Sequence, residues 1–254
     1  MKQWITFDLD GTLMQNPFGA WIFPEVEQVL AEELQSSPNI KSRLYAIHEQ
    51  YMKEQSVAAY DWDGMLQTVM KELGAATSID LEQLVIKHSH MPKIYVLDDS
   101  VLPTLTRLKE QGYAIAAITN GYYKYQYPVV QALGLMDLLD ELVTPERVGF
   151  AKPNIRMADE LLNRGQIVAH VGDRLDHDIY FANELGVKSV LIHRGMNESL
   201  LCLSPEERPH SDSFRLLMKR IAEHEKLDLS DKEQVVRHMP QYVISSLDEL
   251  ISFI

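Results

Sequence analysis

Cysteine and basic residues are both scarce in this sequence of 254 residues. The single cysteine, Cys202, excludes an intrachain disulfide, and we expect it to be a small packed side chain in a reducing compartment. Lys and Arg number 24 against 37 Asp and Glu, which gives a formal net charge of -13. A negative field of this size argues against nucleic-acid polymers and anionic membranes as partners.

Long hydrophobic runs are also missing. No stretch is apolar for long enough to predict a membrane span, and acidic residues interrupt the short apolar run near the N-terminus, unlike in a signal peptide. Hydrophobic residues nevertheless make up 46% of the chain, which is sufficient for a sizeable core. The sequence therefore predicts a globular cytoplasmic protein, and it gives no prediction of oligomeric state.

Helical and strand patterns alternate from residue 99 onwards. Residues 113–118, 167–171 and 188–192 are short apolar runs typical of buried strands, and helical patterns that end at glycine separate them. Together with the apolar run at residues 4–7, they predict an α/β fold. Its core is a Rossmann-like parallel sheet with helices on both faces.

A different pattern occupies the stretch between the first predicted strand and this alternation. Residues 18–90 lack β-branched runs and indicate several helices. We therefore expect an inserted all-α cap domain at residues 16–96. The α/β core domain would consist of residues 1–15 and 97–254.

Residues 195–240 interrupt the alternation and predict an additional helical segment within the core. Ser204 and Glu207 have the spacing of a capping box, which predicts a helix that begins there. A last helix is predicted near the C-terminus, capped by Ser246 with Glu249. Because the segment follows the carboxyl end of a strand, one hypothesis is that it overhangs the crevice and shapes the substrate entrance.

Polar side chains follow three of the predicted strands at the point where each strand ends. Asp8 follows the strand at residues 4–7, Thr119 the strand at 113–118, and Gly172 and Asp173 the strand at 167–171. Ligands of open parallel sheets bind beyond the carboxyl ends of the strands. We therefore expect these three side chains to meet in one crevice.

Four carboxylates would crowd together in that crevice: Asp8, Asp10, Asp173 and Asp178. Like charges at such distances cannot all remain ionised without compensation. A few hard oxygen ligands suit Mg²⁺, so the sequence predicts Mg²⁺ as the cofactor. Lys152 offers a second positive charge. A metal ion together with a lysine would attract a phosphate group even in an acidic protein.

Four short motifs occur in an order that resembles a known family. They are FDLDGT at residues 7–12, ITNG at 118–121, AKP at 151–153 and VGDRLDHD at 171–178. The chain resembles the haloacid dehalogenase superfamily, in its phosphatase branch with a small α-helical cap between the first and second motifs. Residues 195–240 have no counterpart in this resemblance.

The resemblance implies a chemistry for the first motif. Asp8 would attack phosphorus and form an aspartyl-phosphate. Asp10 would protonate the leaving oxygen and then take a proton from the hydrolytic water. Dehalogenating members lack an acid–base aspartate at the position of Asp10, so a dehalogenase is disfavoured.

The resemblance also implies the remaining roles. Four oxygen ligands would hold Mg²⁺: the carboxylate of Asp8, the main-chain carbonyl of Asp10, the carboxylate of Asp173, and the carboxylate of Asp178, directly or through water. The phosphoryl oxygens would be bound by hydroxyl, amide and ammonium groups, namely those of Thr119, Asn120 and Lys152.

The predicted function is Mg²⁺-dependent hydrolysis of a small phosphomonoester, with a small phosphorylated metabolite as partner. The sequence ITNGYYKYQ at residues 118–126 is similar to members that act on nucleoside monophosphates, and a sugar phosphate is equally open. A phosphomutase of the same superfamily is an alternative. So is a non-catalytic phosphate-binding or regulatory module. Aromatic residues of the predicted cap would form its core or line the substrate pocket, and they are Trp21, Phe23, Tyr45, Tyr51, Tyr60 and Trp62.

Overall fold

The computed structural model describes residues 1–54 and 56–254. The strands are β1 (Lys2–Phe7), β2 (Met14–Gln15), β3 (Tyr95–Val96), β4 (Ala114–Ile118), β5 (Glu141–Val143), β6 (Gly165–Gly172), β7 (Lys188–Ile192) and β8 (Tyr242–Ile244). The α-helices are α1 (Phe23–Leu34), α2 (Ile40–Lys53), α3 (Trp62–Leu73), α4 (Leu81–His88), α5 (Val101–Glu110), α6 (Tyr123–Ala132), α7 (Pro145–Val148), α8 (Asp159–Arg164), α9 (Tyr180–Leu185), α10 (Glu198–Leu201), α11 (Asp212–Glu225) and α12 (Lys232–Arg237).

Six strands form one parallel sheet in the order β5-β4-β1-β6-β7-β8, which confirms the predicted α/β fold. The central strands are apolar along most of their length because helices cover both faces. For example, all five residues of β4 are buried. The chain runs from β1 outwards through β4 and β5, and then returns to β6 on the other side of β1. This reversal of strand order is where a parallel sheet opens a crevice for ligands.

The helices α1 to α4 lie between β2 and β3, which pair as a short antiparallel ladder. Their apolar faces pack together, with Val26, Leu44, Val69 and Val85 almost completely buried. Helix α3 ends at Gly74, whose φ of 71° allows the left-handed C-cap conformation. The two-residue ladder thus joins the inserted helices to the sheet. The domain boundary at residues 16–96 stays a prediction.

Three local expectations were wrong. Cys202 is exposed and not packed, because it follows the short helix α10 at the surface. The main-chain amide of Ser204 donates to Glu207, which is half of a capping box, but a turn follows, and then a 3₁₀ helix at Arg208–His210. The turn directs the buried guanidinium of Arg208 to the carbonyls of Leu200 and Val243, at 3.0 and 2.9 Å.

The C-terminal helix is a 3₁₀ helix, Leu247–Ser252, and Ser246 makes no side-chain cap. Glu249 instead accepts hydrogen bonds from Arg208 and Ser245, which removes it from the predicted capping role. Among the described residues, no helix is both long and apolar enough to cross a membrane.

Candidate active site

The three residues that follow β1, β4 and β6 lie at the same edge of the sheet. The amide of Asp8 donates to the carbonyl of Val171 at 2.8 Å, and the amide of Thr119 donates to that of Val143 at 3.1 Å. The strand ladder therefore continues one residue beyond β1 and β4. Asp8 and Thr119 are 8% and 2% exposed, so the sheet delivers both side chains into a largely buried space.

Three carboxylates form a tight cluster at this edge. Oxygens of Asp8, Asp173 and Asp178 lie within 4.8 Å of one another. The Nζ atom of Lys152 is 2.7 Å from Oδ1 of Asp8 and 2.5 Å from Oδ1 of Asp178. The side chain of Asp10 lies outside this group of three.

Two glycines leave the space that this cluster needs. A Cβ atom on Gly172 would lie 2.1 Å from Cγ of Asp178, and one on Gly11 would lie 2.3 Å from Oδ2 of Asp173. Gly11 also has a φ of +85°, a conformation that other residues rarely adopt. Glycine at these motif positions therefore permits the close approach of the carboxylates.

Burial and the neighbouring charges shift the acidity of every group in the cluster. Burial raises the pKa of Asp8 to about 7 against the opposing charge of Lys152, and Asp178 adds to the rise. Burial and the charge of Asp8 raise the pKa of Asp173 well above its ordinary value. The pKa of Asp178 is lowered despite its burial, because Lys152 and a hydrogen bond with His170 favour the ionised form. Lys152 therefore compensates only part of the negative charge.

The donor set fits a divalent hard cation. Its three side chains are carboxylates, with no sulfur or imidazole ligand among them, and this is the chemistry that Mg²⁺ prefers. A bound cation would also relieve the repulsion that raises the pKa of Asp8 and Asp173. Asp8, Asp173 and Asp178 are therefore the side chains that would hold Mg²⁺.

His170 lies behind the cluster, in strand β6, and is completely buried. Its Nε2 is 3.2 Å from Oδ1 of Asp178, and its Nδ1 is 2.9 Å from Oγ1 of Thr6. Burial lowers the pKa of His170, which favours the neutral ring. The imidazole therefore helps to fix the carboxylate of Asp178.

The side chain of Asn120 is occupied by the loop that carries Lys152. Its Oδ1 accepts from the amide of Lys152 at 2.7 Å, and its Nδ2 donates to the carbonyl of the same residue at 3.1 Å. Nδ2 also donates to the hydroxyl of Tyr60, at 2.8 Å, which ties the loop to the helical insertion. A phosphate contact of Asn120 would therefore come from its main-chain amide.

All seven predicted site residues line one cavity of about 460 Å³, and these are Asp8, Asp10, Thr119, Asn120, Lys152, Asp173 and Asp178. Aromatic rings from the helical insertion line the same cavity. His48 stacks on Trp62 with ring centroids 5.3 Å apart, and Phe23 meets Trp62 edge-on at 5.3 Å. Four of the six aromatic residues predicted for the cap therefore line the pocket, and these are Phe23, Tyr45, Tyr60 and Trp62. Trp21 lies apart, near Lys93.

Two residues, one in the site and one behind it, carry no signal in the sequence. Gln126, in α6, lines the cavity and hydrogen-bonds Asp10. Glu225, at the end of α11, accepts hydrogen bonds from the main-chain amides of Leu175 and Asp176, 3.1 Å each, in the loop after Asp173. Both contacts join residues far apart in the chain.

The additional segment at residues 195–240 contacts that loop and not the cavity. None of the described residues that line the cavity belongs to this segment, whereas Glu225 supports the loop from outside. Within the loop, Arg174 donates to Asp176 at 2.9 and 2.7 Å. The hypothesis that the segment shapes the entrance stays a prediction.

Comparison with known proteins agrees with this geometry. The family model of the haloacid dehalogenase-like hydrolases matches residues 2–186. The chain is 28% identical over 212 residues to the glyceraldehyde 3-phosphate phosphatase of Methanopyrus kandleri. The aligned region covers 77% of this chain and 86% of the relative. It is 36% identical over 105 residues to the ribulose-1,5-bisphosphate 5-phosphatase of Halopiger xanaduensis, covering 38% of this chain and 44% of that relative.

A solved structure shares the whole architecture. The HAD phosphatase from Thermococcus onnurineus superposes with a TM-score of 0.68 over 99% of this chain and 97% of its own, at 23% identity, and this likeness shows the fold. The family model covers well over half of the chain and includes all four motifs. The chain therefore belongs to the haloacid dehalogenase-like hydrolases, among the phosphatases of that superfamily.

Proposed function

We propose that this enzyme hydrolyses a small phosphomonoester in a Mg²⁺-dependent reaction that passes through an aspartyl-phosphate on Asp8. The observation that carries the proposal is the convergence of Asp8, Asp173 and Asp178 at one edge of the sheet, where Lys152 pairs with Asp8 and Asp178. A largely buried carboxylate with a compensating cation is the arrangement that a nucleophilic aspartate needs.

In the first step, an oxygen of Asp8 attacks phosphorus while the bond to the leaving oxygen breaks, and Asp10 gives its proton to that oxygen. In the second step, water attacks the phosphorus of the aspartyl-phosphate and transfers a proton to Asp10, and phosphate leaves Asp8. Burial raises the pKa of Asp10, which supports a protonated acid in the first step.

The transferring phosphoryl group gathers negative charge that the site must stabilise. Lys152, the hydroxyl of Thr119 and the main-chain amide of Asn120 would bind its oxygens. Bound Mg²⁺ would supply Lewis-acid neutralisation of the same charge, held by Asp8, Asp173, Asp178 and the main-chain carbonyl of Asp10. Lys152 would also keep the carboxylate of Asp8 in its position.

The substrate that these features favour is a small phosphorylated sugar. The two curated relatives act on glyceraldehyde 3-phosphate and ribulose 1,5-bisphosphate according to their names. A cavity of about 460 Å³ accommodates such molecules, and its aromatic wall around Trp62 offers faces for their carbon skeletons. A nucleoside monophosphate is the second candidate, since the same rings would stack on a base.

The test is a panel of sugar phosphates, nucleotides and an aryl phosphate, assayed with Mg²⁺ and with a chelator. We expect metal-dependent release of phosphate from at least one sugar phosphate. Asp8→Asn should abolish turnover and leave the fold intact, whereas the exposed control Asp159→Asn should behave like the wild type. Normal turnover by the Asp8 variant would exclude the proposed mechanism.

The panel also separates the alternatives. A phosphomutase would convert one phosphate ester into another, whereas a hydrolase in ¹⁸O-labelled water incorporates the label into the released phosphate. A non-catalytic binding module would bind phosphates without any metal-dependent turnover. A cytoplasmic location and the absence of nucleic-acid and membrane partners stay predictions from the sequence.

A further inference from the structure

A buried glutamine links the proposed acid–base residue to the proposed phosphate-binding threonine. Gln126 is 4% exposed and lies in the first turns of α6. Its Nε2 donates to Oδ2 of Asp10 at 2.6 Å and to Oγ1 of Thr119 at 3.3 Å. A single amide group therefore touches both side chains.

Gly121 provides the space through which this amide reaches the site. A Cβ atom at that position would lie 2.1 Å from Nε2 of Gln126 and 2.8 Å from its Cδ. Any other residue in the loop after β4 would therefore displace the amide. The glycine and the glutamine form one steric unit, although five positions separate them in the sequence.

The hydrogen bond distinguishes the two oxygens of Asp10. Oδ2 accepts from the amide, whereas Oδ1 is buried and has no hydrogen-bond partner of normal geometry among residues 1–54 and 56–254; the side chain of Asn16 lies near Asp10 and favours its ionised form. An oxygen that already accepts a short hydrogen bond is the poorer place for a carboxyl proton. The proton of a neutral Asp10 is therefore best placed on Oδ1.

We propose that Gln126 is a positioning residue for the acid–base step, which holds Asp10 so that Oδ1 delivers the proton to the leaving oxygen. The inference rests on the proposed function, because it concerns the breaking of the phosphorus–oxygen bond. As Asp8 bonds to phosphorus, the leaving oxygen takes the proton from Oδ1, and Asp10 becomes a carboxylate. Gln126 itself exchanges no proton.

The same helix also holds the helical insertion over the site. Lys124 pairs with Oδ2 of Asp63 at 2.6 Å, and the hydroxyl of Tyr125 donates to the same oxygen at 2.9 Å. Asp63 belongs to α3, whose neighbour Trp62 lines the cavity. Consecutive residues of α6 thus contact both the insertion and the acid.

The leaving group provides the test. An alkoxide must be protonated as it departs, whereas 4-nitrophenolate is a weak base that departs without a proton. The measured quantity is kcat/KM for the best alkyl phosphate of the panel, divided by kcat/KM for 4-nitrophenyl phosphate. This ratio reports the steps up to departure of the leaving group, and the concentration of folded enzyme cancels from it.

Gln126→Met keeps an unbranched side chain of similar length and removes the amide. We expect the ratio to fall about tenfold. This is part of the rate acceleration of about 10²–10⁴-fold that a positioned general acid contributes. Gln131→Met makes the same chemical change at an exposed position of α6 and should leave the ratio unchanged. A merely structural role of Gln126 would lower both values of kcat/KM equally.

Gly121→Ala is a second route to the same perturbation, because it displaces the amide without removing it. This variant should also lower the ratio. It tests the role of Gln126 if the methionine variant does not fold. An unchanged ratio in the folded variants, beside an active wild type, overturns the role of Gln126 alone. A wild type without turnover of any phosphate overturns the proposed function and this inference together.

Discussion

Replacing Lys152 by methionine should lower the free energy of unfolding by several kilocalories per mole in the absence of metal. Lys152 is 3% exposed, and its Nζ lies 2.7 Å from Asp8 and 2.5 Å from Asp178. Unit charges about 2.7 Å apart attract by about 6 kcal/mol at an effective dielectric constant of ~20. The variant no longer has to desolvate an ammonium group, which offsets part of this lost attraction. Removing one partner of a buried ion pair therefore lowers the free energy of unfolding by about 3–5 kcal/mol in total.

The assay is urea denaturation in a chelator and again with saturating Mg²⁺. Mg²⁺ should stabilise the variant more than the wild type, because removal of the ammonium leaves the carboxylate cluster one unit more negative. The matched control is Lys87→Met: Lys87 also lies 2.7 Å from a carboxylate, that of Glu25, but its side chain is 58% exposed. That change should cost no more than about 1 kcal/mol. Equal losses in the two variants would refute the reasoning.

Three further predictions concern the surroundings of the site. Burial raises the pKa of Glu225 from 4.5 to about 7, so its contribution to stability is complete below pH 4.5 and is lost as the pH rises through 7. Glu225→Gln should therefore flatten the fall of the unfolding free energy across that interval in a series of urea titrations. Trp62→Ala removes one aromatic wall of the cavity and should raise KM about three- to tenfold with a smaller effect on kcat, and an unchanged KM would contradict the pocket assignment. Arg208→Met leaves Glu249 without its buried partner and should cost about 3–5 kcal/mol of unfolding free energy, measured by denaturation, while kcat/KM per folded molecule stays constant.

The sheet and the carboxylate cluster could be predicted because their signals are local. Each strand is a short apolar run, and the polar residue that ends it, such as Asp8 or Thr119, is its direct neighbour in the sequence. Parallel strands then bring those ends together by a general rule of topology. No long-range contact had to be known to place Asp173 beside Asp8.

The contacts of Gln126 and Glu225 could not be predicted, since nothing local marks them. Gln126 reaches a carboxylate 116 positions away, and Glu225 accepts from an amide 50 positions away. A glutamine or glutamate in an amphipathic helix usually faces solvent. Only the tertiary contacts of α6 and α11 show that Gln126 lines the cavity and that Glu225 supports the loop behind it.

The wrong local expectations have the same origin. The main-chain amide of Ser204 donates to the carboxylate of Glu207, which is one of the two hydrogen bonds of a capping box, so that part of the signal is real. The helix does not follow because Arg208 is drawn into a buried set of carbonyls and the carboxylate of Glu249. Tertiary contacts of one charged residue thus outweigh the short-range preference of the turn.

The overall charge and the geometry of the site lead to one requirement. The ammonium group of Lys152 pairs with Asp8 and Asp178, and the guanidinium of Arg174 pairs with Asp176. Both cations are therefore already paired with carboxylates. A phosphate ester would bring further negative charge to this cluster in a protein whose net charge is -13. The three clustered carboxylates would repel such an ester unless they share a divalent cation, which together with Lys152 would neutralise their charge. Substrate affinity should therefore depend on Mg²⁺ as strongly as turnover does.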